Sequence, residues 1–420
     1  MNEQIVTPRP FYKKAINIVL IMFGLGVLVV GVWLYSFFAK LDTGTTSFPY
    51  KSRSISAGDN FSNKLLYYGS GGTYMSDADG DNIVRIFKSE FMRRGFLAVN
   101  PATKKIYVQE YGKTEYVKAT GVDLPYEQTT YSVLEQNIGS NDSALLFSFT
   151  PFRSIGPSVI HSPDFKSIAY RDAGDLILYS ITDKNTRTLL GDGCSIQKPK
   201  SCYMYSPLAW SDDGRNLLVT RYSDDSRNEK SVLFVINPYS NPITTRQLPF
   251  YTYFQQLIRW LPNGSGILAW VDNKLILYDM NSGNSKDLTR AEWQIEADKF
   301  YNRFPIQILD VSPDSTQVAL VLTKETGTTS KIEKINKELI ILNLSDNSAK
   351  TLFTRSAEAY YDYMGDFRDQ IGIMALWGAD SKHLYITGAR NNDETIILDL
   401  TTGKEKNTNL AVGGFIEFLK

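Results

Sequence analysis

The chain has 420 residues, with 45 basic and 45 acidic side chains and a sequence pI near 6.8. This length is sufficient for one large repeat domain with additional segments. Because the charges balance, the sequence offers no broad basic field that would hold nucleic acid, and no nucleic-acid partner is expected. The 25 tyrosines and 22 phenylalanines are typical of a β-rich protein.

The N-terminal segment predicts a membrane anchor. Residues 1–14 form a short polar tail, and the 25 residues 15–39 contain no charged side chain. As a helix they would extend about 37 Å, which exceeds a hydrocarbon core of about 30 Å. A cleaved signal peptide is the alternative, but the apolar stretch is long, and Phe37 and Phe38 stand where small residues should precede a cleavage site. The sequence therefore favours an uncleaved signal-anchor helix.

The basic flank of this helix predicts its orientation. Because the basic residues precede it, we expect the tail in the cytoplasm and the C-terminal bulk outside the cytoplasmic membrane, in the periplasm or at the cell exterior. Residues 40–60 are polar and form a predicted linker to an extracytoplasmic domain, residues 61–420. Four residues are predicted to lie at the membrane interface: Lys13, Lys14, Trp33 and Tyr35.

One motif recurs along the remainder of the chain. Within residues 205–219, an apolar run ends at Trp210, a Ser-Asp-Asp-Gly turn follows, and a second apolar run begins at Leu217. Asp-Gly between two apolar runs predicts a hairpin, because Gly accepts a positive φ and Asp hydrogen-bonds its own turn. Further copies, spaced by about 50–65 residues, begin at Val99, His161, Trp260, Val311 and Trp377.

A second apolar run follows each clear copy and ends in a polar turn, as in residues 274–284. Together the two signals predict four strands per unit, named a to d along the chain, which is typical of a β-propeller blade. Residues 207–217 (Pro-Leu-Ala-Trp-Ser-Asp-Asp-Gly-Arg-Asn-Leu) resemble the repeat of WD40-like propellers of the TolB type. Residues 73–86 resemble the c–d hairpin of that family. The resemblance covers about residues 60–420 and implies the fold, whereas TolB's own role is not implied because no counterpart of its α/β domain is seen.

The number of blades depends on how the chain ends are paired. No first strand precedes residues 64–68, so we expect residues 414–419 to supply it. This pairing would close the ring and remove the exposed edges of an open array. The count is then an all-β propeller of seven four-stranded antiparallel blades. The second blade is poorly marked and residues 119–143 could be an insertion, so six and eight blades remain open.

Two motifs are candidates for a metal site and for a disulfide. Asp77, Asp79 and Asp81 alternate as in a calcium loop, but the glycine is displaced and Lys88 stands where a bidentate Glu should be. A hairpin turn is therefore favoured, and no metal or cofactor is predicted. Cys194 and Cys202 are the only cysteines, and outside the cytoplasm they predict a disulfide within a loop.

Catalytic signatures are sparse. His161 and His383 are the only histidines, and both belong to the repeat, which favours a structural role. The sequence contains no Gly-x-Ser-x-Gly elbow, which argues against the propeller-bearing serine peptidases. Scattered carboxylates leave a glycosidase pair open. The sequence thus favours a binding protein over an enzyme.

The connections predict one elaborated face of the ring. In a four-stranded meander the b–c and d–a connections emerge on one face and the a–b and c–d turns on the other. The long segments are all of the first kind: 190–205, 222–230, 290–305, 324–337 and 354–370. Two of them carry aromatic residues, which either pack on a blade edge or form a contact patch. The candidate partner-binding residues are Trp293, Phe300, Tyr301, Phe304, Tyr360, Tyr361, Tyr363 and Phe367.

These observations predict a membrane-tethered extracytoplasmic propeller that acts as a protein–protein interaction or envelope scaffold module. The alternative is a hydrolase that acts on glycans or peptides through the propeller channel. Convergent carboxylates at the channel mouth would favour the hydrolase. An apolar aromatic patch on the face with the long connections would favour the interaction module.

Overall fold

The repeated turn joins the first two strands of a four-stranded antiparallel sheet. Within the part of the chain that the structure describes there are seven such sheets, which we call blades, and one two-stranded sheet. The chain is therefore an all-β, seven-bladed propeller. The structure, a computed structural model, describes residues 61, 63–69, 72–88, 94–117, 126–140, 142–151, 159–191, 203–223, 231–252, 257–293, 306–328, 331–358, 360–361, 367–368, 372–389, 395–408, 410 and 414–419.

The first four blades are built from consecutive strands. Blade 1 begins with β1 (Leu65–Gly69), β2 (Gly72–Ser76) and β3 (Val84–Lys88). Blade 2 consists of β4 (Arg94–Asn100), β5 (Lys105–Val117), β6 (Tyr126–Asn137) and β7 (Ser143–Phe149). Blade 3 consists of β8 (Val159–His161), β9 (Ser167–Asp172), β10 (Asp175–Ser180) and β11 (Asn185–Leu190). Blade 4 consists of β12 (Tyr203–Trp210), β13 (Leu217–Ser223), β14 (Ser231–Asn237) and β15 (Thr244–Thr252).

The last three blades repeat this plan. Blade 5 consists of β16 (Ile258–Trp260), β17 (Gly266–Val271), β18 (Lys274–Asp279) and β19 (Ser285–Asp287), followed by a 3₁₀ turn at Ala291–Trp293. Blade 6 consists of β20 (Ile306–Val311), β21 (Gln317–Thr328), β22 (Lys331–Asn343) and β23 (Ala349–Glu358). The two-stranded sheet is β24 (Tyr360–Tyr361) with β25 (Phe367–Arg368). Blade 7 consists of β26 (Met374–Trp377), β27 (His383–Thr387), β28 (Thr395–Asp399) and β29 (Glu405–Thr408).

The C-terminal strand closes the ring. Strand β30 (Gly414–Phe418) pairs antiparallel with β1, so that blade 1 takes its strand a from the chain end. Beyond this pair, the Asn63 N–H donates to the Leu419 carbonyl at 2.8 Å, and the Leu419 N–H donates to the Lys64 carbonyl at 2.9 Å. The predicted closure and the count of seven blades are confirmed, and six and eight blades are excluded.

Apolar side chains fill each boundary between neighbouring blades. Among the described residues there are seven hydrophobic clusters, one for each of the seven boundaries, including the boundary of blade 7 with blade 1. Strands between two neighbours are buried on both faces, and all six residues of β17 are buried. This explains why the apolar runs of the sequence do not alternate strictly with polar residues.

A buried arginine joins blades 3 and 4. Arg171 of β9 is 1% exposed, and its guanidinium donates to Ser206 Oγ at 3.2 Å and to the Tyr222 hydroxyl. Burial lowers the pKa of this guanidinium to about 10. The polar contact therefore lies within an otherwise apolar blade boundary.

Two blades have long b–c hairpins. In blade 2, β5 and β6 pair from Lys105–Asn137 out to Val117–Tyr126, well past the start of strand a at Arg94. In blade 6, β21 and β22 extend in the same way. Residues 126–137 are thus the third strand of blade 2. The interpretation of residues 119–143 as an insertion is wrong for these positions, because a polar strand that projects from the blade lacks the apolar pattern that marks a buried one.

No helix among the described residues is long and apolar enough to cross a membrane. The predicted transmembrane helix at residues 15–39, its interface residues, the tail and the linker lie outside the described residues.

Candidate functional site

The two faces of the ring differ in their connections. The a–b and c–d turns lie on one face, which we call the short-turn face. Five a–b turns close with a hydrogen bond across three residues, as between Gly214 N–H and the Ser211 carbonyl at 2.8 Å. The b–c and d–a connections emerge on the opposite face, which we call the long-loop face. Residues 61–64 pair with the end of β30, so the described chain enters the ring at the short-turn face.

The aspartates of the short-turn face serve the turns. Asp213 accepts hydrogen bonds from Ser211 Oγ at 2.6 Å and from the Arg215 N–H at 3.0 Å. Asp314 repeats this pattern with Ser312 Oγ at 2.6 Å. Burial raises the pKa of both carboxyls, but the hydrogen bonds outweigh it and hold both pKa values below their ordinary value. These carboxylates are occupied as turn acceptors.

Both histidines are held by the repeat. The His161 ring stacks on Phe165 at 4.6 Å, and its Nδ1 lies 3.1 Å from the Ser162 carbonyl. Burial lowers the pKa of His161, which favours the neutral imidazole. His383 Nδ1 lies 2.5 Å from Asp380 Oδ2 within an a–b turn. Each histidine therefore has a structural partner within its own turn.

The calcium-like segment is a c–d hairpin. Asp77 accepts hydrogen bonds from the Lys64 amine and, at 2.5 Å, from Asn82 Nδ2, and its carbonyl accepts the Gly80 N–H at 3.0 Å. Gly80 has φ +85°, as a tight turn requires. No group of three or more His, Cys, Asp or Glu residues suited to a metal ion occurs in the described ranges.

Two opposite charges lie on the innermost strands of neighbouring blades. Arg259 in β16 and Asp310 in β20 occupy the same repeat position, two residues before the a–b turn. Asp310 Oδ2 accepts the N–H of Trp377 at 2.8 Å. The next N–H, of Gly378, pairs with His383 of β27, so the Trp377 N–H points to the free inner edge of β26. The Asp310 carboxylate therefore joins blades 6 and 7 at the central channel.

The environment of Asp310 shifts its titration strongly. Burial raises the pKa of this carboxyl to about 6, although N–H groups of Trp377 and Val311 and the charge of Arg259 act in the opposite direction. Burial likewise lowers the pKa of Arg259, whose Nη1 donates to the Ile258 carbonyl at 2.9 Å. Both carboxylate oxygens of Asp310 already accept backbone N–H groups, at 2.8 and 2.9 Å. This arrangement suits a link between strands better than a catalytic acid with a free oxygen.

Exposed tyrosines concentrate on the long-loop face. Of the seven exposed large hydrophobic side chains in the described ranges, five lie on the side of their blades that carries this face, four of them at or near strand ends and one in the projecting b–c hairpin of blade 2. Four of the five are tyrosines that are between 39% and 46% exposed, and the fifth is a methionine. They are Tyr68, Tyr111, Tyr203, Tyr251 and Met374. Tyr, Met and Arg are the residue types enriched at the centres of protein interfaces.

An arginine lies among these residues on blade 4. The Arg221 guanidinium lies over the Tyr203 ring at 4.4 Å and over the Phe234 ring at 5.2 Å. Arg221 pairs across the strands with Val232, which pairs with Tyr251. Paired side chains of an antiparallel sheet point to one face, and Arg221 and Tyr251 are two strands apart, roughly 10 Å. Tyr203, Arg221 and Tyr251 form what we call the blade-4 patch.

None of the predicted contact residues belongs to the blade-4 patch. Trp293 is 2% exposed and belongs to the core between blades 5 and 6, which is the packing role that the sequence left open. Tyr360, Tyr361 and Phe367 lie in the two-stranded sheet, for which the backbone alone is described. The other predicted site residues lie outside the described ranges: Cys194, Cys202, Phe300, Tyr301, Phe304 and Tyr363.

Sequence reasoning missed both the blade-4 patch and Asp310. Alignment of the repeats could have identified the channel pair. The position two residues before the a–b turn is charged in two consecutive copies, as Arg259 and Asp310. The same position is apolar in the neighbouring copies, as Ala209 and Leu376. The patch has no comparable signal. Strand pairing brings Tyr203, Arg221 and Phe234 together from separate strands.

Comparison with known proteins finds solved structures of low sequence identity. No protein-family model and no curated protein matches the chain. A candidate 6-phosphogluconolactonase of Bacteroides uniformis is 12% identical, with a TM-score of 0.45, covering 84% of this chain and 98% of its own. An oligogalacturonate lyase in complex with manganese is 9% identical, with a TM-score of 0.41 and coverage of 71% and 84%.

A TolB candidate of Agrobacterium tumefaciens is 14% identical, with a TM-score of 0.35 and coverage of 65% and 86%. At these identities the likeness concerns the fold, and the named activities belong to the compared proteins. The seven four-stranded sheets place this chain in the class of seven-bladed β-propellers.

Proposed function

We propose that the chain is a single-pass protein of the cytoplasmic membrane whose propeller lies outside and binds a protein partner, as an interaction or envelope scaffold module. The uncharged residues 15–39 with a preceding basic flank support the anchor and its orientation. The contact surface in this proposal is the long-loop face.

The observation that carries the proposal is the concentration of exposed aromatic side chains on that face. Solvent-exposed tyrosines supply large contact areas with little side-chain entropy to lose, and they are common hot spots of protein interfaces. The carboxylates of Asp213 and Asp314 on the other face are engaged as turn acceptors. The proposal also keeps the contact surface and the chain entry at residues 61–64 on opposite faces of the ring.

The hydrolase alternative depends on the channel. A glycosidase requires a second carboxyl group within about 5–10 Å of the first. Asp310, whose pKa is raised by burial to about 6, is affected by the charge of one further carboxylate, Asp212. However, both oxygens of Asp310 already accept N–H groups, of Trp377 and Val311, which suits a link between strands better than a catalytic acid. The observations therefore favour the interaction module.

The test is crosslinking and affinity purification of the tagged full-length protein from detergent-solubilised membranes. We expect a stoichiometric protein partner with the wild type. The double variant Tyr203→Ala/Tyr251→Ala should lose it, whereas Tyr239→Ala, which removes an exposed ring from the short-turn face, should retain it. A protein that captures no partner and cleaves glycan or peptide libraries would refute the proposal.

A further inference from the structure

Arg221 differs from the other arginines that stack on aromatic rings. Four described arginines lie over such rings: Arg171, Arg221, Arg246 and Arg290. Arg246 donates to the Met280 carbonyl at 2.5 Å and to the Tyr278 hydroxyl at 2.7 Å. Arg290 donates to the Asn347 carbonyl at 2.8 Å and to Glu292 at 2.5 Å. Arg171 donates to two hydroxyl groups of blade 4.

The Arg221 guanidinium makes no hydrogen bond or ion pair with any described residue, and its contacts are the rings of Tyr203 and Phe234. A guanidinium carries five N–H donors, and a charged donor held away from water without an acceptor is unfavourable. Ring contacts compensate only part of this cost. The fold therefore holds a cation with unused donor capacity at the long-loop face.

The geometry limits how an acceptor can reach this cation. The Nε atom is buried without an acceptor, whereas the two Nη atoms are not among the buried unpaired atoms and therefore reach solvent. The Tyr203 ring covers the guanidinium on one side and is itself 39% exposed. An incoming group must consequently approach the Nη edge, next to an exposed aromatic ring.

We propose that Arg221 binds a carboxylate side chain of the protein partner. A carboxylate presents two oxygens at the spacing of the guanidinium N–H groups and can accept both bonds in parallel. Its single negative charge matches one guanidinium, whereas a phosphate monoester carries up to about two charges. Tyr203 and the nearby exposed Tyr251 would then contact the residues that flank the acidic side chain. This inference rests on the proposed protein-binding function and specifies the chemistry of that surface.

The first experiment uses the full-length protein in detergent micelles and labelled, end-capped peptides. We expect hexaglutamate to bind and hexaglutamine to bind at least about tenfold more weakly, because the uncharged peptide lacks the charge-assisted hydrogen bond. Arg221→Met should weaken hexaglutamate binding at least about tenfold, and Arg221→Lys should fall between. The matched control is Arg246→Met, which removes a stacked arginine already satisfied by Met280 and Tyr278 and should change the affinity less than about twofold.

Three results would overturn the inference. Hexaglutamate could bind Arg221→Met, or Arg221→Lys if the methionine variant fails to fold, as tightly as it binds the wild type. Inorganic phosphate could displace hexaglutamate with an affinity above that of the peptide and with the same dependence on Arg221. The third contradicting result is that neither peptide shows saturable binding to the wild type. In the affinity purification, full partner capture by Arg221→Met would refute this inference while leaving the proposed function intact, whereas no capture by the wild type would refute the proposed function.

Discussion

The substitution Asp310→Asn probes the charge that the fold places at the central channel. The asparagine can accept only one of the two N–H groups, of Trp377 and Val311, that Asp310 accepts, and this loss lowers stability by an amount that does not depend on pH. The substitution also removes the ionisation, which is the pH-dependent part. The pKa of Asp310 rises from 3.8 to about 6 on folding, with burial as the main cause. An acid with a raised folded pKa leaves the protein fully stable below its unfolded pKa and destabilises it as pH rises through the folded pKa.

The magnitude follows from the two pKa values. One pKa unit corresponds to about 1.36 kcal/mol, so ionisation of Asp310 costs at most about 3 kcal/mol of unfolding free energy at neutral pH. The unfolding free energy of Asp310→Asn, measured relative to the wild type, should therefore rise by up to about 3 kcal/mol as pH increases from 4 to 7. The positive charge of Arg259 lowers the pKa of Asp310, and the negative charge of Asp212 raises it. Both charges therefore affect the pH at which the stability changes.

The assay is urea unfolding of the full-length protein at a series of pH values, followed by tryptophan fluorescence. The matched control is Asp314→Asn, because hydrogen bonds hold the pKa of that turn carboxyl below its ordinary value. Its difference from the wild type should stay nearly constant between pH 4 and pH 7, because a carboxyl with a lowered folded pKa loses its stabilising effect only as pH falls below the unfolded value of 3.8. A difference for Asp310→Asn that is constant between pH 4 and pH 7, or that becomes more destabilising as pH rises, would refute the raised pKa of the channel carboxyl.

One deletion and four substitutions further test the fold and the patch. Deletion of residues 414–420 removes β30 and exposes the edge of β1. We expect the unfolding free energy to fall by at least about 3 kcal/mol and light scattering to show aggregation. A stable monomer would contradict the closure of the ring by β30. Trp293→Ala should lower the unfolding free energy by about 3–5 kcal/mol in urea titrations, and Trp293→Phe by less, because the ring is buried between blades 5 and 6. Arg171→Met should cost about 1–3 kcal/mol through its bonds to blade 4, whereas Tyr251→Ala at the exposed patch should cost less than about 0.5 kcal/mol.

The architecture was predictable because each blade carries a local signal. The turn after Trp210 contains Gly214, which adopts φ +67°, and Asp213, which accepts the Arg215 N–H. The positive φ recurs in four further copies, at Gly264 and at three non-glycine residues, Phe165, Ser315 and Ser381. The closing strand could also be inferred, because an apolar run at the C-terminus matched a blade without strand a. The second blade was harder, since β5 and β6 continue into a polar projection that has no apolar periodicity.

The proposed contact surface could not be derived in the same way. The positions of Tyr203, Arg221 and Tyr251 depend on the registers of three strand pairs, and none of the three residues stands in the repeated motif. The sequence also assigned Trp293 to a possible contact patch, because helical spacing of aromatic residues does not distinguish a buried face from an exposed one. A ring of 2% exposure in the core between two blades is a packing residue.

The most direct test of the account is photo-crosslinking in intact cells with a photoreactive phenylalanine analogue at Tyr251 or at Tyr239. The two rings are 41% and 50% exposed, on the long-loop face and the short-turn face of the same blade. We expect a discrete protein adduct from position 251 and none from position 239. The same adduct from position 239 alone, or equal yields from both positions, would contradict the assignment of the long-loop face as the binding surface.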